Sequence, residues 1–224
     1  MPGSVDFSGA RVRQSVRESQ ERLQVGQLDL VHLHDPERIT MAQAMASDGP
    51  VRALLGLREA GVIGHLGVAG GPVGMLEAFL RTGHFEAVVT HNRFTLLDRS
   101  AESLLDLAAE RGIGVFNTAP FGGGFLSGGP EHTTYCYRPA TAVQLTARTA
   151  MRQACARHGI DLADAALQFS VTDPRISSTI VGASSTRQLA QTIGRLAVTV
   201  PDALRGELRE LAPPRSTWFG PDRI

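Results

Sequence analysis

Five short apolar segments alternate with helical patterns along the chain, and this alternation restricts the fold more than any other feature. Runs of four to eight apolar residues are typical of strands, and apolar positions at helical spacing are typical of helices. The predicted strands are about residues 28–33, 65–69, 87–90, 114–117 and 178–181. The predicted helices are about residues 10–23, 41–60, 73–81, 101–111, 140–158, 162–171 and 187–196, and a last one opens at Pro201. We expect a long loop at 118–139 and an irregular tail from Pro213.

Residues at the helix ends support this division of the chain. Gly61, Gly83 and Gly112 each follow a helical pattern, and glycine readily adopts the left-handed conformation that terminates many helices. Ser100 precedes the fourth pattern as an expected N-cap. Pro201 occupies the favoured first position of the last helix.

Strands separated by helices pair in parallel through right-handed crossovers. Both an open doubly wound sheet and a (β/α) barrel satisfy this pattern. A complete barrel needs eight strands and typically about 250 residues, whereas this chain of 224 residues shows five strand patterns. The sequence therefore predicts an α/β fold with a parallel sheet and leaves both arrangements open at this point.

Charge and cysteine content exclude several classes of protein. The 22 basic residues balance the 22 acidic ones, and a nucleic-acid-binding domain normally carries a basic stripe, so we expect no nucleic-acid partner. No run approaches the about 18 apolar residues of a membrane span, and the first 13 residues lack the apolar region of a secretion signal. Cys136 and Cys155 lack CxxC spacing, which indicates a reducing cytoplasm and predicts no metal site.

Four segments occur in the order and at roughly the spacing of the aldo-keto reductase family: "SVRESQERLQVGQLDLVHLHDPE", "LREAGVIGHLGVAGG", "GIGVFNTAPFGGGFLSGG" and "STIVGASSTRQLAQTIG". Together they make the chain resemble that family. The segment "YRPATAVQLTARTAMRQACARHGIDLADAALQF" is similar to its aldose dehydrogenase branch, which acts on fucose, galactose or pyridoxal-type substrates. The resemblance implies a (β/α)8 TIM barrel that transfers hydride between NADP or NAD and a small-molecule carbonyl or sugar substrate. It also implies an Asp-Tyr-Lys-His tetrad whose tyrosine is the general acid or base.

The stretch "LDLVHLHDPE" carries the histidine of that tetrad. By resemblance, His34 lies at the end of the family's fourth strand and orients the substrate oxygen as a catalytic residue. The residues alone also fit a hydrogen-bonded rim histidine without a chemical role. Residues two apart on a strand share a face, so His32 points the same way, and we expect a buried, hydrogen-bonded side chain there.

The other three tetrad residues have no counterpart in the chain. In the family they precede the segment that matches "DFSGARVRQSVRESQ", and all 22 basic residues here are arginine, so no lysine is present. The tyrosines, Tyr135 and Tyr137, fall in the long loop. We therefore interpret residues 1–224 as a single, N-terminally truncated reductase domain. Its five strands would be strands 4–8 of an incomplete barrel of aldo-keto reductase type, with the first three missing.

A turn with the sequence "GASST" follows the last predicted strand and opens a helix. Backbone N–H groups and the helix dipole at such an N-terminus favour an anion, although an ordinary capped helix explains the same residues. The resemblance implies that this turn binds the adenosine-phosphate end of the dinucleotide, through Gly182, Ser184, Arg187, Gln188 and Gln191. Thr192 stands where the family usually has asparagine, so the choice between NADP and NAD stays open.

The glycine-rich stretch "NTAPFGGGFLSGG" matches the family's loop after the seventh strand, although it contains neither a P-loop nor a GxGxxG fingerprint. The match implies cofactor contacts from Ala119, Pro120, Phe121, Gly124 and Leu126. Close approach of the backbone to a pyrophosphate would explain the glycines, and so would a mobile loop. Thr118 replaces a nicotinamide-stacking tyrosine of many relatives, and Ala69 and Gly70 replace a Ser-Asn pair. His91 lies near another common amide contact.

Two functions follow. The first is NAD(P)-dependent oxidation or reduction of an aldose, aldehyde or ketone. Positioned acid–base groups commonly raise a reaction rate by about 10²–10⁴. Because three of the four tetrad residues have no counterpart, we expect negligible turnover from this chain alone. The second is an inactive remnant that binds a dinucleotide weakly or acts only as an interaction partner. Unpaired strands at two sheet edges favour self-association in both cases.

Overall fold

The structure is a computed structural model that describes residues 6–219. Its main sheet contains five parallel strands in the order β1-β2-β3-β4-β7, and β5 and β6 form a separate antiparallel hairpin. The strands are β1 Leu28–His34, β2 Ile63–Gly70, β3 Ala87–His91, β4 Gly114–Thr118, β5 Thr134–Tyr135, β6 Arg138–Pro139 and β7 Ser178–Ile180. The five parallel strands predicted from the sequence are thus confirmed.

Helices connect the strands of the main sheet. They are α1 Gly9–Leu23, α2 Met41–Met45, α3 Pro50–Glu59, α4 Val73–Arg81, α5 Glu102–Glu110, α6 Ala142–Arg157, α7 Leu162–Val171, α8 Thr186–Arg195 and α9 Asp202–Glu210. Short 3₁₀ helices occur at Pro36–Arg38 and Arg215–Thr217. No helix between residues 6 and 219 is both long and apolar enough to cross a lipid bilayer.

Strand order is the feature of the sheet that bears on the two arrangements left open by the sequence. Each strand of the main sheet pairs with the main-sheet strand that comes before it along the chain. The spatial order of the strands therefore follows the chain without a reversal. A doubly wound sheet reverses at a switch point, whereas successive neighbours are typical of a barrel. In the described residues, β1 and β7 are the edges of this sheet.

Apolar side chains form two cores. The first lies between the helices α1–α5 and one face of strands β1–β4, and it includes the fully buried Leu66, Val88 and Val115. The second lies among the hairpin, α6, α7 and α9. Phe169 packs against both cores and stacks on Phe94 with ring centroids 4.7 Å apart. Phe169 of α7 therefore connects the core beneath the sheet with the core that contains the hairpin.

The single helix predicted at residues 41–60 is wrong, because two helices occupy that range. The first ends at Met45 and the second begins at Pro50, which follows the extended N-cap Gly49. Proline has no N–H to donate within a helix and restricts the residue before it to extended conformations. A Cβ at Gly49 would lie 2.5 Å from the carbonyl oxygen of Gln43, so this close turn requires glycine.

Four smaller expectations are also corrected. Ser100 does not cap α5, whose N-cap is Ala101; the Ser100 hydroxyl donates instead to Asp98 Oδ1 at 2.6 Å. Pro201 is the N-cap of α9 rather than its first residue. The predicted loop at 118–139 contains the hairpin β5–β6, and the tail contains a 3₁₀ helix. The end of that tail, residues 220–224, lies outside the described residues.

Candidate functional site

A cavity of about 700 Å³ opens at the C-terminal ends of β4 and β7, between the loop after β4 and the turn after β7. Ligands of parallel α/β sheets bind at these strand ends. Eight of the ten residues predicted to bind the cofactor line it: Ala119, Pro120, Phe121, Gly124, Gly182, Ser184, Gln188 and Gln191. Thr192, the residue that replaces the family's asparagine, also lines the cavity.

The other two predicted cofactor residues do not line this cavity. Leu126 is 1% exposed and packs in the second core. Arg187 lies in the first turn of α8, a helix without buried residues, and its side chain is absent from the cavity wall. The structure therefore brings together the glycine-rich loop and the turn after β7, but it separates Arg187 from the place where an anion would bind.

Glycines in the loop after β4 make room for side chains of the same loop. A Cβ at Gly122 would lie 2.3 Å from the Tyr135 ring, and Cβ atoms at Gly124 and Gly128 would lie 3.0 and 2.9 Å from the His132 ring. Gly122 and Gly124 also have positive φ angles. The structure thus gives the glycines an internal packing role, which neither of the two sequence-based explanations included.

Two arginines of α6 hold this loop. The Arg148 guanidinium donates to the carbonyl oxygens of Phe125 and His132, at 3.3 and 2.5 Å. Arg152 donates to the carbonyl oxygen of Gly128 at 2.7 Å. Hydrogen bonds from charged donors are stronger than neutral ones, so the loop is anchored to a helix of the second core.

The N-terminus of α8 is partly satisfied by its own side chains. The Ser184 N–H and hydroxyl both donate to Gln188 Oε1 at 2.8 Å, and Gln188 N donates to Ser185 Oγ at 3.2 Å. Helix geometry leaves the N–H groups of Thr186 and Arg187 without intrahelical acceptors. Ser184 and Gln188 line the cavity, so an anion there can accept from the Ser184 N–H and hydroxyl after rearrangement of the Ser184–Gln188 pair.

His34 lies at the C-terminal end of β1 with its side chain 74% exposed. Its Nδ1 is 3.0 Å from Asp35 Oδ1, and Asp35 also pairs with Arg38 at 3.3 Å. Asp35 has a left-handed backbone, with φ of 51°. A carboxylate on Nδ1 fixes the ring's tautomer and orientation, which leaves Nε2 directed away from that partner.

A second polar group lies beside His34, at the ends of β2 and β3. Glu37 Oε1 accepts a hydrogen bond from Gly71 N at 3.2 Å, and a Cβ at Gly70 would lie 2.8 Å from Glu37 Oε2. The His91 ring lies 3.5 Å from the position of a Gly71 Cβ. Burial lowers the pKa of His91, and the nearby Arg93 lowers it further. Glycine at the family's Ser-Asn position thus accommodates a carboxylate.

His32 departs from the expectation of a hydrogen-bonded side chain. Its Nε2 is buried and has no hydrogen-bond partner among the described residues. The ring packs edge-on against Phe116, with centroids 6.0 Å apart, and a Cβ at Gly67 would lie 2.4 Å from it. Burial lowers the pKa of His32, and His34 contributes further, which favours a neutral ring packed in the sheet.

The two tyrosines occupy different environments. Tyr135 is buried, its hydroxyl lies 2.9 Å from Thr95 Oγ1, and burial raises its pKa well above the ordinary value. Tyr137 is 83% exposed, has a φ of 67°, and lines both the main cavity and a neighbouring one of about 240 Å³. Sequence reasoning did not select three further residues of the site, namely His132, Glu37 and Tyr137. The signal that could have indicated His132 was the group of glycines near it, which adopt positive φ angles in the structure.

The family model of the aldo/keto reductase family matches residues 1–212. The chain belongs to this family. A D-threo-aldose 1-dehydrogenase from a Pseudomonas species is 31% identical over 208 residues, covering 92% of this chain and 63% of that protein. An L-galactose dehydrogenase from Arabidopsis thaliana is 31% identical over 204 residues, covering 89% and 61%. An aldo-keto reductase from Bacillus halodurans, in its holo form, matches with a TM-score of 0.75 and 24% identity, covering 93% and 69%.

These similarities confirm the aldo-keto reductase resemblance and its aldose dehydrogenase branch. Members of the family are oxidoreductases that use NAD(P). The likeness to the Bacillus halodurans structure shows the α/β fold. The chain spans less than two thirds of the length of the two curated relatives, so the activity of those whole proteins enters below as a proposal.

Proposed function

We propose that this chain is an aldo-keto reductase-like oxidoreductase by lineage and that it binds NADP or NAD in the cavity between the loop after β4 and the turn after β7. The observation that carries the proposal is the meeting of eight predicted cofactor residues in one cavity at the C-terminal strand ends. The reaction of the lineage is hydride transfer between that cofactor and an aldose, aldehyde or ketone.

The five parallel strands are, in this proposal, strands 4–8 of an incomplete (β/α)8 barrel within a single domain. Their unreversed order and the helix between each pair support a barrel rather than a doubly wound sheet. His34 is then at the catalytic rim. Its pairing with Asp35 leaves Nε2 available to a substrate oxygen, which is the role proposed for it.

Little turnover is proposed for these 224 residues alone. They contain no lysine, and Tyr135 is buried, with its hydroxyl hydrogen-bonded to Thr95. Burial raises the pKa of Tyr135, which makes it unsuitable as a proton donor to a ligand in the cavity. His34 Nε2 can accept a hydrogen bond from a substrate hydroxyl, but in this proposal the tetrad's Asp, Tyr and Lys have no counterparts in these residues.

The cofactor proposal is tested by a substitution that fills the cavity without straining the backbone. A Cβ at Gly182 meets nothing within 4 Å, and Gly182 lines the cavity. Gly182→Leu should therefore abolish binding of NADP⁺ and NAD⁺ in calorimetric titrations. Gly206→Leu is the matched control, because Gly206 on α9 is equally open and lies away from the cavity wall. Equal affinity of the two variants would contradict the proposed site.

A second candidate, an inactive remnant that serves as an interaction partner, is favoured by an apolar surface at one sheet edge. The helix α8 has no buried residue, and Leu189, Ile193 and Leu196 are all about half exposed, as is Ile180 of the edge strand β7. We propose self-association through this edge and β1. Analytical ultracentrifugation should show oligomers that Leu189→Glu dissociates; a monomeric wild-type chain would contradict this.

The proposed location is the cytoplasm, with small molecules rather than nucleic acid as partners. Both cysteines, Cys136 and Cys155, are free and buried in the structure, and free thiols are typical of reducing compartments. The balanced charge of the chain supports the absence of a nucleic-acid partner.

A further inference from the structure

His132 occupies a position that the glycines of its own loop create. Its ring lies within 3.0 Å of the Cβ positions of Gly124 and Gly128, so any side chain there would displace it. Arg148 holds the His132 backbone through the carbonyl oxygen. The ring is exposed and forms part of the cavity wall, and its nitrogens make no hydrogen bond with the described residues.

The charges around the cavity point to an anionic ligand that meets His132. Among the described residues of the wall there is no Asp or Glu, and the residues able to carry positive charge are His132 and Arg195. Arg195 is already paired with Asp164 and, at 3.8 Å, with Asp161. Arg187, predicted as the cationic contact, is absent from the wall. Of the two wall residues able to carry positive charge, His132 is therefore the one that forms no ion pair with a carboxylate of the described residues.

We propose that His132 is a cofactor-positioning residue whose imidazole donates a hydrogen bond to the diphosphate shared by NADP and NAD. This inference rests on the proposed function, because it assumes that the dinucleotide occupies this cavity. Gly124 and Gly128 serve this purpose by leaving space for the ring. Donors on both sides of the cavity, His132 from the loop and the first turn of α8 from the other wall, then hold one anion.

The test compares two substitutions of His132 with a neighbouring control. His132→Phe keeps an aromatic ring over Gly124 and Gly128 but removes both nitrogens, and His132→Asn keeps a hydrogen-bond donor on a shorter side chain. Glu131→Gln changes the adjacent exposed residue, which is not part of the wall. Affinities for NADP⁺ and for NAD⁺ are measured by calorimetry on the whole chain, and circular dichroism checks that each variant is folded.

We expect His132→Phe to lower the affinities for NADP⁺ and for NAD⁺ by the same factor, about tenfold or more, because a charge-assisted hydrogen bond is lost. His132→Asn should lose less, and Glu131→Gln should bind like the wild type. If the wild-type chain binds both cofactors and His132→Phe binds them with the same affinity, this inference is overturned and the proposed function stands. Weakening of NADP⁺ alone would overturn it as well, by placing His132 at the 2′-phosphate. Absence of wild-type binding would overturn both.

Discussion

Replacing Gly122 with alanine tests whether loop glycines exist to accommodate side chains of the loop. Gly122 has a φ of 60°, and its Cβ would lie 2.3 Å from the Tyr135 ring. Gly123 has a φ of 71°, but its Cβ would meet no atom nearer than Cys136 N at 3.8 Å. The two substitutions therefore share the left-handed backbone penalty and differ in the collision.

The free energies can be worked from these contacts. A left-handed alanine costs about 1–2 kcal/mol at either position. At Gly122, forced displacement of a packed ring adds about 1–3 kcal/mol. Moving Tyr135 also breaks its hydrogen bond to Thr95, which adds about 1 kcal/mol. Gly122→Ala should thus destabilise the loop by about 2–4 kcal/mol more than Gly123→Ala.

Amide hydrogen exchange measures this difference locally, without requiring a cooperative melt of the whole chain. The Cys136 N–H donates to the Gly122 carbonyl oxygen at 3.3 Å, so its exchange reports opening of the hairpin from the loop. Exchange of peptides covering residues 119–139 should be at least about thirtyfold faster in Gly122→Ala than in Gly123→Ala. Equal rates in the two variants would refute the packing role of the glycine.

Three further outcomes are expected. Gly67→Ala should destabilise the sheet, because its Cβ would lie 2.4 Å from the His32 ring. Gly56→Ala is the control and should not destabilise the chain, because its Cβ would have no atom within 4 Å. Urea denaturation compares the free energies of unfolding of the two variants. Carbonyl reduction with NADPH should be negligible, and an ordinary rate that is lost in His34→Ala would overturn this. Burial raises the pKa of Cys136 to about 12 and of Cys155 to about 11. Because the folded thiols stay protonated while unfolded thiols ionise near 9, the free energy of unfolding should fall as pH rises from about 9 towards 11–12. Disulfide reagents should also react slowly with the folded chain at pH 8, and rapid reaction would contradict the burial of the two thiols.

The sequence predicted the strands and helices well where periodicity and glycine agreed. The helix α4 was expected at residues 73–81, where the structure places it, and Gly83 behind it has the predicted left-handed backbone. The helix prediction failed at Gly49 and Pro50, because one helix was drawn across the Ser-Asp-Gly-Pro stretch that separates α2 from α3. The hairpin β5–β6 was missed because its turn residues, Cys136 and Tyr137, adopt positive φ without being glycine.

The candidate site was predictable where the family's motifs supplied the residues, and less so where three-dimensional position decides the role. Gly182 and Gln191 line the cavity as expected, but Arg187 is absent from its wall, although it lies one helical turn before Gln191 and so on the same side of α8. His132 follows the quoted motif by several residues and reaches the cavity only when the loop folds back. Glu37 likewise meets Gly70 through strand pairing, which no local pattern reveals.

The central claim is that a dinucleotide binds between the loop after β4 and the turn after β7. Hydrogen exchange of the wild-type chain with and without saturating NADP⁺ tests it most directly. We expect slower exchange in two separate segments, residues 119–128 and 182–192, with residues of α1 unchanged. Unchanged exchange in both segments, or protection confined to α1, would contradict it.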